Sequence, residues 1–139
     1  MGHRSTRTFL MVALAAAFTL GVAASSGRAA SDAKPVVVKV HADWCGTCTR
    51  LNPTWKQLES EFDGRADLVV LDVTNKDTIA ASRATAEKMG LMPFFEEYKS
   101  QTGTIGVLDA KREPIAVLKG ETDISKYEQA LNEALAEKS

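Results

Sequence analysis

The apolar side chains of the chain follow two alternating periods. Residues 36–40 and 68–73 form short, nearly continuous apolar runs rich in β-branched side chains, which predicts two buried strands. Between these runs, apolar residues recur at helical spacing and predict a helix from Cys45 to about Gly64: Leu51, Trp55, Leu58 and Phe62.

The second half of the chain continues the alternation. Residues 78–88 are rich in helix formers and end at Gly90, and Pro93 suits the first turn of a short helix that continues to residue 99. Residues 104–109 and 115–119 flank a turn and predict a hairpin. A last helix carries apolar residues at 124, 127, 131 and 135, with Thr122 or Asp123 as its cap. The predicted fold is α/β, with a mixed central sheet and helices on both faces.

The first 29 residues differ from the rest. Arg4 and Arg7 precede an apolar run at residues 9–24, and small residues follow it, as in a secretory signal peptide. Cleavage after small residues near 24 or 29 fits equally well, and an uncleaved anchor at 9–24 is the alternative. We therefore expect a signal peptide at 1–29, a domain at 30–139, and a periplasmic or otherwise extracytoplasmic location.

Composition limits the possible functions. The formal net charge of -1 gives no basic face for nucleic acid, so we expect no nucleic-acid partner. The 2 cysteines are too few for a Cys-only zinc cage or for a scaffold of several disulfides. A domain of roughly 110 residues is large enough to bury a single core. We expect a monomer whose two cysteines act as one pair.

The cysteine pair lies in Trp-Cys-Gly-Thr-Cys, residues 44–48, between the first strand and the first helix. Residues three apart on a helix have Cβ atoms about 5–6 Å apart, near disulfide spacing. The helix N-terminus favours a thiolate. Cys45 should be the exposed nucleophile and Cys48 the resolving thiol of a redox-active Cys45–Cys48 disulfide.

Residues 42–48, the strand before them, Pro53 five residues after Cys48, the strand at 68–73 and the late hairpin together resemble the thioredoxin family. The resemblance covers about residues 36–138. It implies a thioredoxin-like fold and a protein-disulfide oxidoreductase that needs no small-molecule cofactor. Its partners would be protein thiols and disulfides, with a membrane electron donor or acceptor. The Trp-Cys-Gly-x-Cys context resembles reductants more than oxidants. Pro53 should kink the first helix.

Two residues depart from the family pattern. Thr47 stands where the family usually has Pro, at a position that tunes the redox potential. Lys39 stands where the family usually has a buried carboxylate. If Lys39 faces inward, its cation should hold Cys48 as a thiolate; alternatively, its stem packs and its ammonium reaches the sheet margin.

The family's cis-proline loop has two candidate positions. Aligning residues 104–109 with the family's strand puts Gly103 at the cis-proline position, between Thr102 and Thr104, and makes residues 90–101 a helical insertion. Pro93 is the other candidate. We prefer Gly103, whose missing Cβ lets a substrate backbone approach closely.

Other residues near the pair have candidate roles. Gly46 and Trp44 should shape the substrate surface, with Trp44 shielding Cys45. His41 is a candidate proton donor or metal ligand, although a structural role is the simpler interpretation. No metal site is predicted, but the alternative function is a copper carrier that binds through the two thiolates.

Overall fold

The computed structural model describes residues 33–137. The predicted signal peptide at 1–29 lies outside this range. The elements follow one another as β1 (Val36–His41), α1 (Gly46–Arg50), α2 (Asn52–Glu61), β2 (Asp67–Asp72), α3 (Lys76–Met89), α4 (Met92–Tyr98), β3 (Thr104–Leu108), β4 (Pro114–Lys119) and α5 (Ile124–Ala136). Every helix within residues 33–137 falls short of the length and apolarity of a membrane span.

The sheet has four strands in the order β2-β1-β3-β4. Strand β1 pairs parallel with β2 and antiparallel with β3, and β3 pairs antiparallel with β4. The predicted mixed sheet is therefore confirmed. Strand β2 was expected to be buried, but it lies at an edge, and its Val70 is 44% exposed. An edge strand has a neighbour on one side only, which explains why a continuous apolar run is half-exposed here.

The alternation of side chains along β1 creates two cores. Val36, Val38 and Val40 pack on one face with residues of α3 and α4, including Phe94 and Phe95. Val37 packs on the other face with residues of α2 and α5, including Leu58 and Tyr127. Helices therefore cover both faces, as predicted, and Lys39 has the same parity as Val37.

Local signals set the ends of the helices. Pro53 is in the first turn of α2, and the predicted long helix is divided at Leu51 into α1 and α2. Gly90 ends α3 in the left-handed conformation at φ 72°. Asp123, rather than Thr122, caps α5 by accepting the Ser125 N–H. Helix α4 occupies the segment predicted to be helical, with Pro93 in its first turn.

Candidate active site

The two cysteines lie at the carboxyl end of β1, where α1 begins. Cys45 is the N-cap of α1, and its Sγ accepts the Cys48 N–H at 3.2 Å. The Cys48 thiol donates to the carbonyl of Val40 at 3.7 Å. Both cysteines are free thiols. The structure therefore describes the pair in its reduced form, held against the end of β1.

Burial distinguishes the two thiols less than expected. Cys45 was expected to be exposed, but it is only 7% exposed, and Cys48 is fully buried. The correction has a local cause, because the loop at Gly103 packs over Cys45. A Cβ added to Gly103 would lie 3.8 Å from Cys45 Sγ. Access to Cys45 is limited to the small part of its surface that this loop leaves open.

The pKa values of the two thiols shift in opposite directions. Burial raises the pKa of Cys45, but hydrogen bonds from the Cys48 thiol, from Thr102 and from the N–H groups of Cys48 and Thr47 outweigh it, so the net shift is downward. Burial and the hydrogen bond to Cys45 raise the pKa of Cys48. At the helix N-terminus, Cys45 is thus the thiol that ionises first.

The β3 loop approaches the active-site helix closely at Gly103. Gly103 adopts φ 81°, and an added Cβ would lie 2.6 Å from Cγ2 of Thr47. Its N–H donates to Val40 and its carbonyl accepts from Gly120, so both of its main-chain groups are paired. Thr102 supplies a hydrogen bond to Cys45. Thr104 is 1% exposed in β3, so its side chain does not reach the surface of the site.

Pro93 lies apart from this loop, in the first turn of α4. No peptide bond within residues 33–137 is cis. The structure therefore brings Thr102 and Gly103, rather than Pro93, to the cysteine pair. Gly46 begins α1 with open space around its Cα, and the Thr47 hydroxyl accepts a hydrogen bond from Arg50 at 3.0 Å.

Lys39 lies beneath the pair and is 3% exposed. Its Nζ donates to Oδ1 of Asn52 at 2.9 Å and lies 5.7 Å from the ring centroid of Trp55. The ammonium thus faces inward towards α2 instead of reaching the sheet margin. It lowers the pKa of Cys48, but burial outweighs it. The expectation that Lys39 holds Cys48 as a thiolate is therefore not met.

Trp44 is 67% exposed beside Cys45, and its indole N–H donates to the carbonyl of Thr74 at 3.2 Å. Thr74 also accepts the N–H of Asp43 through its hydroxyl at 3.0 Å. Sequence reasoning missed Thr74, although it follows β2, whose carboxyl end adjoins that of β1. Thr74 fixes the loop that carries Trp44.

His41 lies at the end of β1, with Nε2 3.3 Å from Oδ1 of Asp43. Its buried Nδ1 has no hydrogen-bond partner within the described residues. One ligand atom each from His41, Asp43 and Asp72 lie within 4.8 Å of one another. The Asp72 carboxylate already accepts the Thr74 N–H at 2.8 Å, so it serves the loop geometry.

The sequence matches the thioredoxin family over residues 22–119. It is 31% identical over 87 residues to thioredoxin H-type of Chlamydomonas reinhardtii, covering 61% of this chain and 72% of that protein. It is 45% identical over 47 residues to thioredoxin 1 of Chlorobaculum tepidum, covering 34% of this chain and 46% of that protein.

Solved structures share the architecture. The fold is similar to that of Fasciola hepatica thioredoxin, with a TM-score of 0.51, 17% identity and coverage of 73% of this chain and 82% of that chain. It is also similar to a DsbF homologue from Corynebacterium diphtheriae, with a TM-score of 0.54, 16% identity and coverage of 72% and 71%. At these identities the likeness concerns the fold.

Proposed function

The chain belongs to the thioredoxin family of thiol:disulfide oxidoreductases, and on this premise we propose that it reduces protein disulfides through Cys45 and Cys48. The observation that carries the proposal is the asymmetry of the two thiols. Cys45 has a lowered pKa at the start of α1, whereas Cys48 is buried with a raised pKa. A two-step exchange needs one thiol that attacks the substrate disulfide and a second thiol that then attacks the mixed disulfide.

The proposed reaction begins at Cys45. Its thiolate attacks one sulfur of the substrate disulfide, the S–S bond breaks, and the departing substrate thiolate takes up a proton. A mixed disulfide now joins Cys45 to the substrate. Cys48 then loses its proton and attacks Cys45 Sγ, which forms the Cys45–Cys48 disulfide and releases the second substrate sulfur as a thiol. The substrate gains two electrons and two protons. The enzyme loses two electrons, the Cys48 proton and the proton that Cys45 released when it ionised.

The surroundings of Cys45 suit a macromolecular substrate. The exposed indole of Trp44 offers an apolar contact beside the nucleophile. The main chain of Gly103 is already paired, so an extended substrate segment would lie along the neighbouring Thr102. In the mixed disulfide the substrate takes the small opening through which Cys45 is accessible, while Cys48 stays shielded from solvent.

The direction of electron flow rests on the Trp-Cys-Gly-x-Cys context and is tested by equilibrating the protein with glutathione buffers. A potential near that of thioredoxin, about −270 mV, would support a reductant. A value near that of strong oxidants, about −120 mV, would reverse the direction. Cys48→Ser should accumulate mixed disulfides with substrates, and Cys45→Ser, the matched control, should not.

The copper-carrier alternative uses the same two thiolates, so it needs its own measurement. We expect anaerobically purified protein to contain no stoichiometric metal and to show a Cys45 thiolate at lower pH than a free thiol. Bound copper at one equivalent, together with an unshifted Cys45, would favour metal carriage over redox exchange.

We further propose that residues 1–29 direct export and that residues 30–139 act as a monomer outside the cytoplasm. The support is the charge and apolar pattern of residues 1–31. In an oxidising compartment the oxidised pair must be reduced again, and a membrane electron-transfer protein would supply the electrons. Fractionation of cells and N-terminal sequencing test the export, with a new N-terminus expected near residue 25 or 30.

A further inference from the structure

Lys39 is a buried cation without a buried anion. Its side chain lies on the α2 face of β1 and is 3% exposed. Within residues 33–137 no carboxylate lies within 4.0 Å of its Nζ, and the ion pairs found there all involve other residues. A buried ammonium normally has an anionic partner, since its desolvation is unfavourable.

The neutral partners of Lys39 satisfy only part of the hydrogen-bonding capacity of its ammonium. One N–H bonds to the amide oxygen of Asn52, and the ring of Trp55 lies 5.7 Å away. The nearby carboxylate of Glu59 accepts the Trp55 indole N–H at 2.8 Å. Within residues 33–137, Asn52 is therefore the one hydrogen-bond acceptor of this ammonium.

The negative charge of the neighbouring cysteine pair depends on its redox state. Cys48 bonds to the carbonyl of Val40, the residue that follows Lys39. Asn52, which accepts the hydrogen bond from Lys39, lies four positions after Cys48, at the start of α2. When the pair is reduced, its negative charge forms at Cys45, whose pKa is lowered. When two electrons leave and the S–S bond forms, that charge disappears and Lys39 keeps its own.

We propose that Lys39 is a residue that sets the reduction potential of the Cys45–Cys48 pair, by stabilising the reduced form against the disulfide. The inference rests on the proposed redox function and deepens it. Lys39 makes the protein a weaker reductant than the same fold would be with a neutral side chain at this position. Lys39 thus acts through its charge on the equilibrium between the dithiol and the disulfide, without contacting the substrate.

The electrostatics of the groups around Lys39 agree with this assignment. Burial lowers the pKa of Lys39, and the charges of Cys48, Cys45 and Glu59 act in the opposite direction. In the same way, Lys39 acts to lower the pKa of Cys48. The coupling between Lys39 and the pair is therefore reciprocal, as thermodynamic linkage requires.

The test compares wild type with Lys39→Met and Lys39→Gln in glutathione buffers at pH 7. Both variants should favour the disulfide about tenfold more than wild type, a shift of about 30 mV to more negative potential. Lys56→Met, which removes an exposed lysine from α2, is the matched control and should leave the potential unchanged. Equal potentials for wild type and both Lys39 variants, or a shift to less negative values, would overturn the inference.

A second measurement separates charge from packing. Replacing a buried charge by an apolar side chain of similar length often leaves a fold intact. Because the proposed role of the Lys39 charge is to stabilise the reduced form, Lys39→Met should stabilise the oxidised protein against urea relative to the reduced protein. A purely structural Lys39 would change both forms equally. If the wild-type pair forms no disulfide in any glutathione buffer, the proposed function itself fails, a result distinct from an unchanged potential in the variants.

Discussion

Gly103→Ala tests the contact between the β3 loop and the active-site helix. Gly103 has φ 81°, where an L-residue costs about 1–2 kcal/mol. The new Cβ would also lie 2.6 Å from Cγ2 of Thr47, and overpacking of this kind costs about 1–3 kcal/mol. We expect the free energy of unfolding of the reduced protein to fall by about 2–5 kcal/mol, measured by urea denaturation.

Two further variants separate the backbone contribution from the clash. Gly64 has φ 71° with open space around its Cα, so Gly64→Ala should cost only the backbone part, about 1–2 kcal/mol. Thr47→Ser removes Cγ2, and in that background Gly103→Ala should cost less than in wild type. The reasoning would be refuted if Gly103→Ala cost no more than Gly64→Ala, or if Thr47→Ser left its cost unchanged.

Three other predictions concern the thiol, the sheet and a helix cap. Thr102→Val removes a hydrogen bond that lowers the pKa of Cys45, so the pH midpoint of Cys45 alkylation should rise. Gly106→Ala would put a Cβ 2.4 Å from the ring of Phe94, and we expect a loss of about 1–3 kcal/mol in urea denaturation. Asn75→Ala removes the side chain that caps α3, which should cost about 1 kcal/mol of stability in the same assay.

Each of these has a matched control. Thr102→Ser keeps the hydroxyl and should leave the alkylation midpoint near wild type; an equal rise would point to packing instead of hydrogen bonding. Gly46→Ala adds a Cβ into open space and should not destabilise; if it matched Gly106→Ala, the clash argument would be wrong. Asn75→Asp keeps the cap, and a loss as large as that of Asn75→Ala would contradict the capping role.

The sequence was sufficient for the elements and for the location of the pair. Strands and helices have different hydrophobic periods, and local signals such as Pro53 and Gly90 mark where helices break or end. The position of Cys45 and Cys48 between β1 and α1 follows from the same pattern. These features depend on neighbours along the chain, which a sequence records directly.

Features that depend on distant segments could not be predicted in the same way. The exposure of Val70 depends on β2 being at the edge of the sheet. The burial of Cys45 depends on Gly103, 58 positions later in numbering. The orientation of Lys39 depends on Asn52 and on the path of α2. In each case the strand order and packing decide, and neither has a local signature.

The direction of β1 determines which end of the domain lies near an attachment at its N-terminal side. The chain enters this strand at Val36 and leaves it at His41, shortly before Cys45, and a strand of six residues is about 20 Å long. Arg112 fixes the entry end by donating to the carbonyls of Lys34 and Met89. A segment or partner attached before Lys34 would therefore lie at the entry end of β1. Trp44 and the Cys45 sulfur would lie at the opposite end, facing away from the attachment.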